Sequence, residues 1–243
     1  SDYKVLVIAV DEEKIYEGLK YRIEDAGSEL KLDDAVKIMG CWSGIGKNFP
    51  ESDEVDISAD PLPMRTAIAF AGSIKYSQLA AKEFARISGD LGKSAPHLPR
   101  LEAGHVDGTM NVLERNQKIT WLKENADGSS PVCRILTNAR CLSEGVDVPS
   151  LDAAIFLSPR DSVVDVVQSV GRVMRKSPGK KYGYVILPIG IGKEASPEEA
   201  LRDNAKYKVV WQVLNALRAH DERLDKQFAV IDLSKREKKE KGP

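Results

Sequence analysis

Apolar residues along this chain fall into short dense runs, and between the runs they recur at helical spacing. Tyr3 to Val10 is the first run and predicts a strand, with helix over most of 12–37, broken near Gly27-Ser28. Gly40 to Pro63 is rich in glycine, proline, serine and acids, and is expected to be a connector. From Arg65 the two patterns alternate. Strands are predicted at 65–71, briefly at His105, and at 132–137, 152–157 and 182–188. Helices are predicted at 77–88, 111–125 and 162–175. A long helical stretch covers 197–223, with Pro197 tolerated in its first turn. Such alternation implies an α/β fold: a mostly parallel sheet, helices on both faces, right-handed crossovers. The expected division is a lead-in over 1–63, an α/β domain over 64–195, a helical extension over 196–234, and a disordered charged tail over 235–243.

The chemistry sits behind two of these strands. Gln168, Gly171, Arg172 and Arg175 are spaced to share one face of a helix, with Val163, Val167, Val170 and Met174 on another. Ser162, with Asp165 three residues on, could cap its start. Phosphoryl transfer needs positive charge against a departing phosphate, and a guanidinium supplies it with a fork that fits phosphate oxygens. Gly171 leaves the backbone approachable in the middle of that face.

Thr137 to Pro149 reads T-N-A-R-C-L-S-E-G-V-D-V-P. Thr137 and Asn138 end a strand, the side on which open parallel sheets bind ligands. Their short polar groups and nearby backbone N–H groups suit nucleic-acid phosphates. Gly145 permits close approach or a positive φ, and Asp147 can accept from a ribose hydroxyl.

Together, Thr137–Pro149 and Q-S-V-G-R-V-M-R at Gln168–Arg175 resemble motifs V and VI of superfamily 2 helicases. Arg65–Ala71 with Gly72-Ser73-Ile74 looks like motif IV, and His105–Met110 like the phosphate-contacting segment that follows it. The resemblance spans about Arg65 to Pro188 and implies a second, C-terminal RecA-like motor domain: a three-layer α/β fold. Asp33–Trp42, D-D-A-V-K-I-M-G-C-W, is similar to helicases of the restriction-enzyme type.

By that resemblance Gln168, Arg172 and Arg175 would face the γ-phosphate, with Gly145, Asp147 and Gly171 beside the nucleotide. Ser73, Thr109, Thr137 and Asn138 would line a groove for one nucleic-acid strand. ATP with Mg²⁺ would be held jointly with a first RecA-like domain of the same parent chain, the metal mainly by that half. No metal ligands are expected here. The implied function is ATP-dependent DNA translocation or unwinding, with the chain a piece of a larger protein and inactive alone. The alternatives are an RNA helicase C-terminal domain, or a non-catalytic nucleic-acid-binding module that kept the fold.

Composition narrows this picture further. The 243 residues, 42% hydrophobic and 30% charged, can bury a sizeable core. Lys and Arg number 36 against 37 acids, so a nucleic-acid surface must be a local patch. Cys41, Cys133 and Cys141 have no zinc spacing and suggest a reducing compartment, and no signal peptide or membrane-spanning run is visible: a cytoplasmic protein is expected. His97, His105 and His220 show no metal spacing, and each is read as a solvated or core histidine. Gly92-Lys93-Ser94 lacks the earlier glycine of a phosphate loop and follows a helix, so it is read as a turn. Asp11-Glu12 ends a strand as a Mg²⁺-binding pair would, but no phosphate loop precedes it; it is read as structural.

Overall fold

The computed structural model describes residues 2–13, 31–49, 58–125, 132–139, 151–158, 163–173, 175, 180–192, 201, 207–219 and 228–233. Its elements in chain order are β1 (Asp2–Asp11), α1 (Leu32–Ile45), β2 (Thr66–Phe70), α2 (Ile74–Leu91), β3 (Arg100–Asp107), α3 (Val112–Lys123), β4 (Val132–Ala139), β5 (Ala153–Phe156), α4 (Val163–Val173), β6 (Tyr182–Ile191), α5 (Lys208–Arg218) and β7 (Phe228–Asp232). The strands form one seven-stranded sheet in the order β3-β4-β2-β5-β6-β1-β7, and every pairing is parallel. This is the three-layer α/β architecture expected from the alternation.

The runs that predicted strands are continuous because parallel strands bury both faces. Ile68, Phe70, Leu136 and Phe156 pack on one side with Val166 and Val170 of α4 and with α5. Ala67, Ala69, Ile135 and Ile155 pack on the other with α1 and α2. Alternate residues of one strand therefore face opposite layers.

Four elements differ from expectation. Residues 40–45 continue α1 where a connector was expected. Gly40 and Gly44 are the reason: the missing side chains let the helix close on the sheet, where a Cβ on Gly44 would lie 2.4 Å from Ile8 Cδ1. Tertiary packing overrides their low helix propensity. β3 starts at Arg100 instead of near His105. The extension over 196–234 is helical at Lys208–Arg218, but Phe228–Asp232 is a strand beside β1. Helix α4 stops at Val173, two residues short of the span expected through Arg175.

The lead-in strand β1 lies inside the sheet, paired with β6 from Asp2↔Tyr182 to Asp11↔Ile191 and with β7 on its other side. Its Asp11 accepts from the Glu13 N–H at 2.9 Å, a turn at the strand end. Beneath the sheet, at the amino ends of the strands, Asp152 is half-buried and accepts from the N–H groups of Arg65 (2.7 Å) and Thr66 (3.2 Å). Burial raises its pKa, with those two bonds opposing. Lys47, at φ 51°, bonds Asp60 at 2.8 Å and lies over the Tyr184 ring. Gly92-Lys93-Ser94 is a turn after α2, as its sequence implied. No described helix is long and apolar enough to cross a membrane, and Cys41 and Cys133 are free and buried.

Candidate functional site

Because all the strands run one way, their carboxyl ends share one edge, the edge at which open sheets take ligands. β2 leads there to Ser73, β3 to Thr109, and β4 ends there with Thr137 and Asn138. β5 leads into α4 three strands from β3. At the usual strand spacing that is roughly 14 Å.

Ser73 is the N-cap of α2: its hydroxyl oxygen accepts from the Tyr76 N–H at 3.1 Å, and the residue is exposed. Thr109 is exposed and turns back on Asp107, to whose Oδ1 its N–H (2.7 Å) and hydroxyl (2.5 Å) both donate. Asp107 Oδ2 faces His105 Nε2 at 2.7 Å. Bonds from Thr109 and then His105 hold the Asp107 carboxyl down at about 2, against opposing burial.

Thr137 is wholly buried. Its hydroxyl donates to the Ser77 carbonyl at 2.8 Å and accepts from the Ser77 hydroxyl at 3.0 Å. The side chain therefore presents nothing at the surface, unlike the groove-lining role expected of it. β4 and β3 pair Thr137 with His105 across the sheet, so both face the α2 layer. Asn138 points to the opposite layer and is also wholly buried. Its amide donates weakly to Ala69 O at 3.4 Å, and among the described residues its Oδ1 has no partner. A buried carbonyl of this kind costs free energy until a donor arrives.

On α4 the buried positions are Val166, Ser169 and Val170. The outer stripe is Val164, Gln168 and Gly171, all exposed and spaced to share a face. Among the described residues, a Cβ at Gly171 would meet nothing within 4 Å. Val167 is half-buried, so the apolar stripe is turned slightly from the one the sequence implied. Arg175 is exposed just past the helix, and its carbonyl accepts from Lys180 Nζ at 3.3 Å. Gly145, Asp147, Ser162 and the side chain of Arg172 lie outside the described residues, though the Arg172 backbone continues α4 directly after Gly171.

His105, Asp107 and Ser77 are the functional candidates that reading the sequence missed. His105 and Asp107 alternate on one strand face, H-x-D, which was a usable signal. Ser77 sits in the second turn of α2, where nothing in the local sequence marks it.

An all-parallel three-layer sheet with a polar carboxyl edge, and an exposed polar helix face behind β5, is the RecA-like α/β fold. Residues 64–177 match the helicase conserved C-terminal domain, and this part of the chain belongs to that family. That match is to the kind of domain that closes superfamily 2 helicases, and restriction enzymes are among the solved structures it resembles. The ATP-dependent type ISP restriction-modification enzyme LlaBIII, solved bound to DNA, is 39% identical and superposes with a TM-score of 0.80 over 96% of this chain and 16% of its own. A fragment assigned to the HsdR subunit of a type I restriction enzyme from Vibrio vulnificus shares the fold at a TM-score of 0.50 and 17% identity, over 95% of this chain and 37% of its own. A protein named as a helicase in African swine fever virus is 34% identical over 84 residues, 35% of this chain and 10% of the viral protein. The chain thus spans a small part of the relatives it resembles.

Proposed function

We propose that the chain is the second motor domain of an ATP-dependent DNA translocase or helicase of the restriction-modification kind. The observation that carries this is the 39% identity, over nearly the whole chain, to a restriction enzyme solved on DNA. In this reading Gln168, Arg172 and Arg175 meet the γ-phosphate of an ATP held against a first motor domain, with Gly171 leaving room for it. Bound ATP supplies the phosphoryl group whose departure drives the motor. The residues present fit one wall of that site. Gln168, Gly171 and Arg175 stand exposed, and among the described residues nothing would touch a Cβ at Gly171. Gly145 and Asp147 would complete this wall, and Mg²⁺ would fall mainly to the other half.

Nucleic acid would run over the carboxyl edge near Ser73 and Thr109, whose exposed hydroxyls and N–H groups suit phosphates without reading bases. Thr137, being buried, would shape that edge from beneath instead of touching the strand. The deciding experiment is steady-state ATPase of the full-length protein with DNA, RNA or neither, beside the isolated chain. DNA stimulation of the full-length protein and negligible turnover by the chain alone are expected. Stimulation by RNA alone, or robust Mg²⁺-dependent turnover by the isolated chain, would overturn the reading.

A further inference from the structure

Five polar side chains form one hydrogen-bonded line under the carboxyl edge. The Thr109 hydroxyl donates to Asp107 Oδ1 at 2.5 Å, and Asp107 Oδ2 meets His105 Nε2 at 2.7 Å. His105 Nδ1 lies 2.7 Å from Ser77 Oγ, which lies 3.0 Å from Thr137 Oγ1. The line starts at exposed Thr109, crosses β3 and α2, and ends at wholly buried Thr137. From there β4 runs on into the segment carrying Gly145 and Asp147.

The core does not need these polar groups; apolar side chains would fill the same volume without a satisfaction requirement. What the set does have is a choice built into its middle. The Ser77 hydroxyl carries one proton and has two neighbours able to accept it, His105 Nδ1 and Thr137 Oγ1. With Nε2–H held by Asp107, the ring can present an Nδ1 lone pair that competes with Thr137 for the Ser77 proton. If the ring loses that anchor, the hydroxyl is left to Thr137 alone. A phosphate oxygen arriving at Thr109 would compete for both the N–H and the hydroxyl now given to Asp107. It would also place negative charge beside the carboxylate, which disfavours the present arrangement.

We infer that His105 is a positioning residue that reports occupancy of the nucleic-acid edge at Thr109 to the end of β4, through Ser77 and Thr137. The inference rests on the reading of the domain as a nucleic-acid-driven motor. One rotating hydroxyl is the two-state element, and both ends of the line bias it.

The test uses the full-length protein and measures basal turnover, turnover with saturating single-stranded DNA, DNA affinity and thermal midpoint. Ser77→Ala and His105→Ala should each lower the ratio of stimulated to basal turnover about tenfold, a usual size for coupling between sites. Basal turnover and DNA affinity should stay within about twofold. The double variant should be no worse than the worse single one, because both cut the same line. His105→Gln, which keeps an N–H for Asp107, should recover part of the ratio. If Ser77→Ala fails to fold, the two His105 variants carry the test at a partly exposed position. A wild-type protein that DNA does not stimulate would remove the motor reading itself. Stimulated wild type with unchanged ratios in the variants, or singles whose losses add, would overturn this inference alone.

Discussion

Asp107 sits where a carboxylate is held charged by its neighbours, Thr109 first. A pKa depressed in the fold gives stability that is present above the unfolded value, near 4, and lost as pH falls toward about 2. The stability gap between wild type and Asp107→Asn, followed by urea melts, should therefore be open at pH 5 and close between about pH 4 and 2. A gap that ignores pH would show that the carboxylate is not the source. Arg172 and Arg175 call for a different measurement. Alanine at either should lower kcat of the full-length protein about a thousandfold or more while moving the KM for ATP little, as expected for charge used in the transition state. Lysine should rescue poorly, since it lacks the fork. Near-normal turnover in both alanine variants would make this a solvated helix face. At this scale the sequence was a partial guide. Residue type and position after a strand located Ser73 and Thr109 at the exposed edge. They could not reveal that Thr137, two residues before its strand ends, points into the α2 layer, because that follows from register with His105.

Elements were legible where apolar pattern and packing agree, as in β1, β2, β4, β6 and α2. They were misread where packing overrides local preference. Gly40 and Gly44 look like breakers in one dimension, yet they are the points where α1 touches β1 and β6. Gly44→Ala should set a gain in helix propensity of about 1 kcal/mol against an overpacking cost of about 1–3 kcal/mol. A net loss is expected, since a new Cβ would lie 2.4 Å from Ile8 Cδ1 and 3.3 Å from Ile186 Cδ1, and both fully buried side chains would have to give way. Gly89 in α2 meets nothing within 4 Å, so alanine there should stabilise by roughly 0.5–1 kcal/mol. Opposite signs in chemical denaturation are the expected outcome, and equal gains would mean that the α1 contact is looser than its distances. β7 escaped notice for another reason. Five residues with alternating burial at a sheet edge carry too short a pattern to separate from the helical surroundings.

For the whole molecule, the segment that matches the helicase family, 64–177, omits α1, β1, β6, α5 and β7. It would expose the outer edge of β5 and leave the α2 layer without α1. A protein trimmed to 64–195 restores β6 but still lacks β1, whose Val5 to Ala9 are fully buried. Such a trimmed domain is expected to aggregate or to be digested rapidly in limited proteolysis, while residues 1–234 resist. Equal resistance of both would show that the central strands suffice. The polar edge and arginine helix, which the motifs mark, thus depend on a frame that the motifs do not cover.

The position of β1 also sets a timetable. It is made well before its two partners: Asp2 pairs with Tyr182, and Val5 with Phe228. At about 5–20 residues per second of synthesis, the run V-L-V-I-A-V waits on the order of 10–40 s before β6 can cover it. The β3-β4-β2-β5 side of the sheet can assemble meanwhile from nearer contacts, but β7 cannot join until β1 is in place. The growing chain therefore carries a sticky, β-prone segment for the whole of that interval. Holding that segment soluble until β6 emerges, by a chaperone or by slower, cooler expression, governs how much of this protein reaches its native sheet.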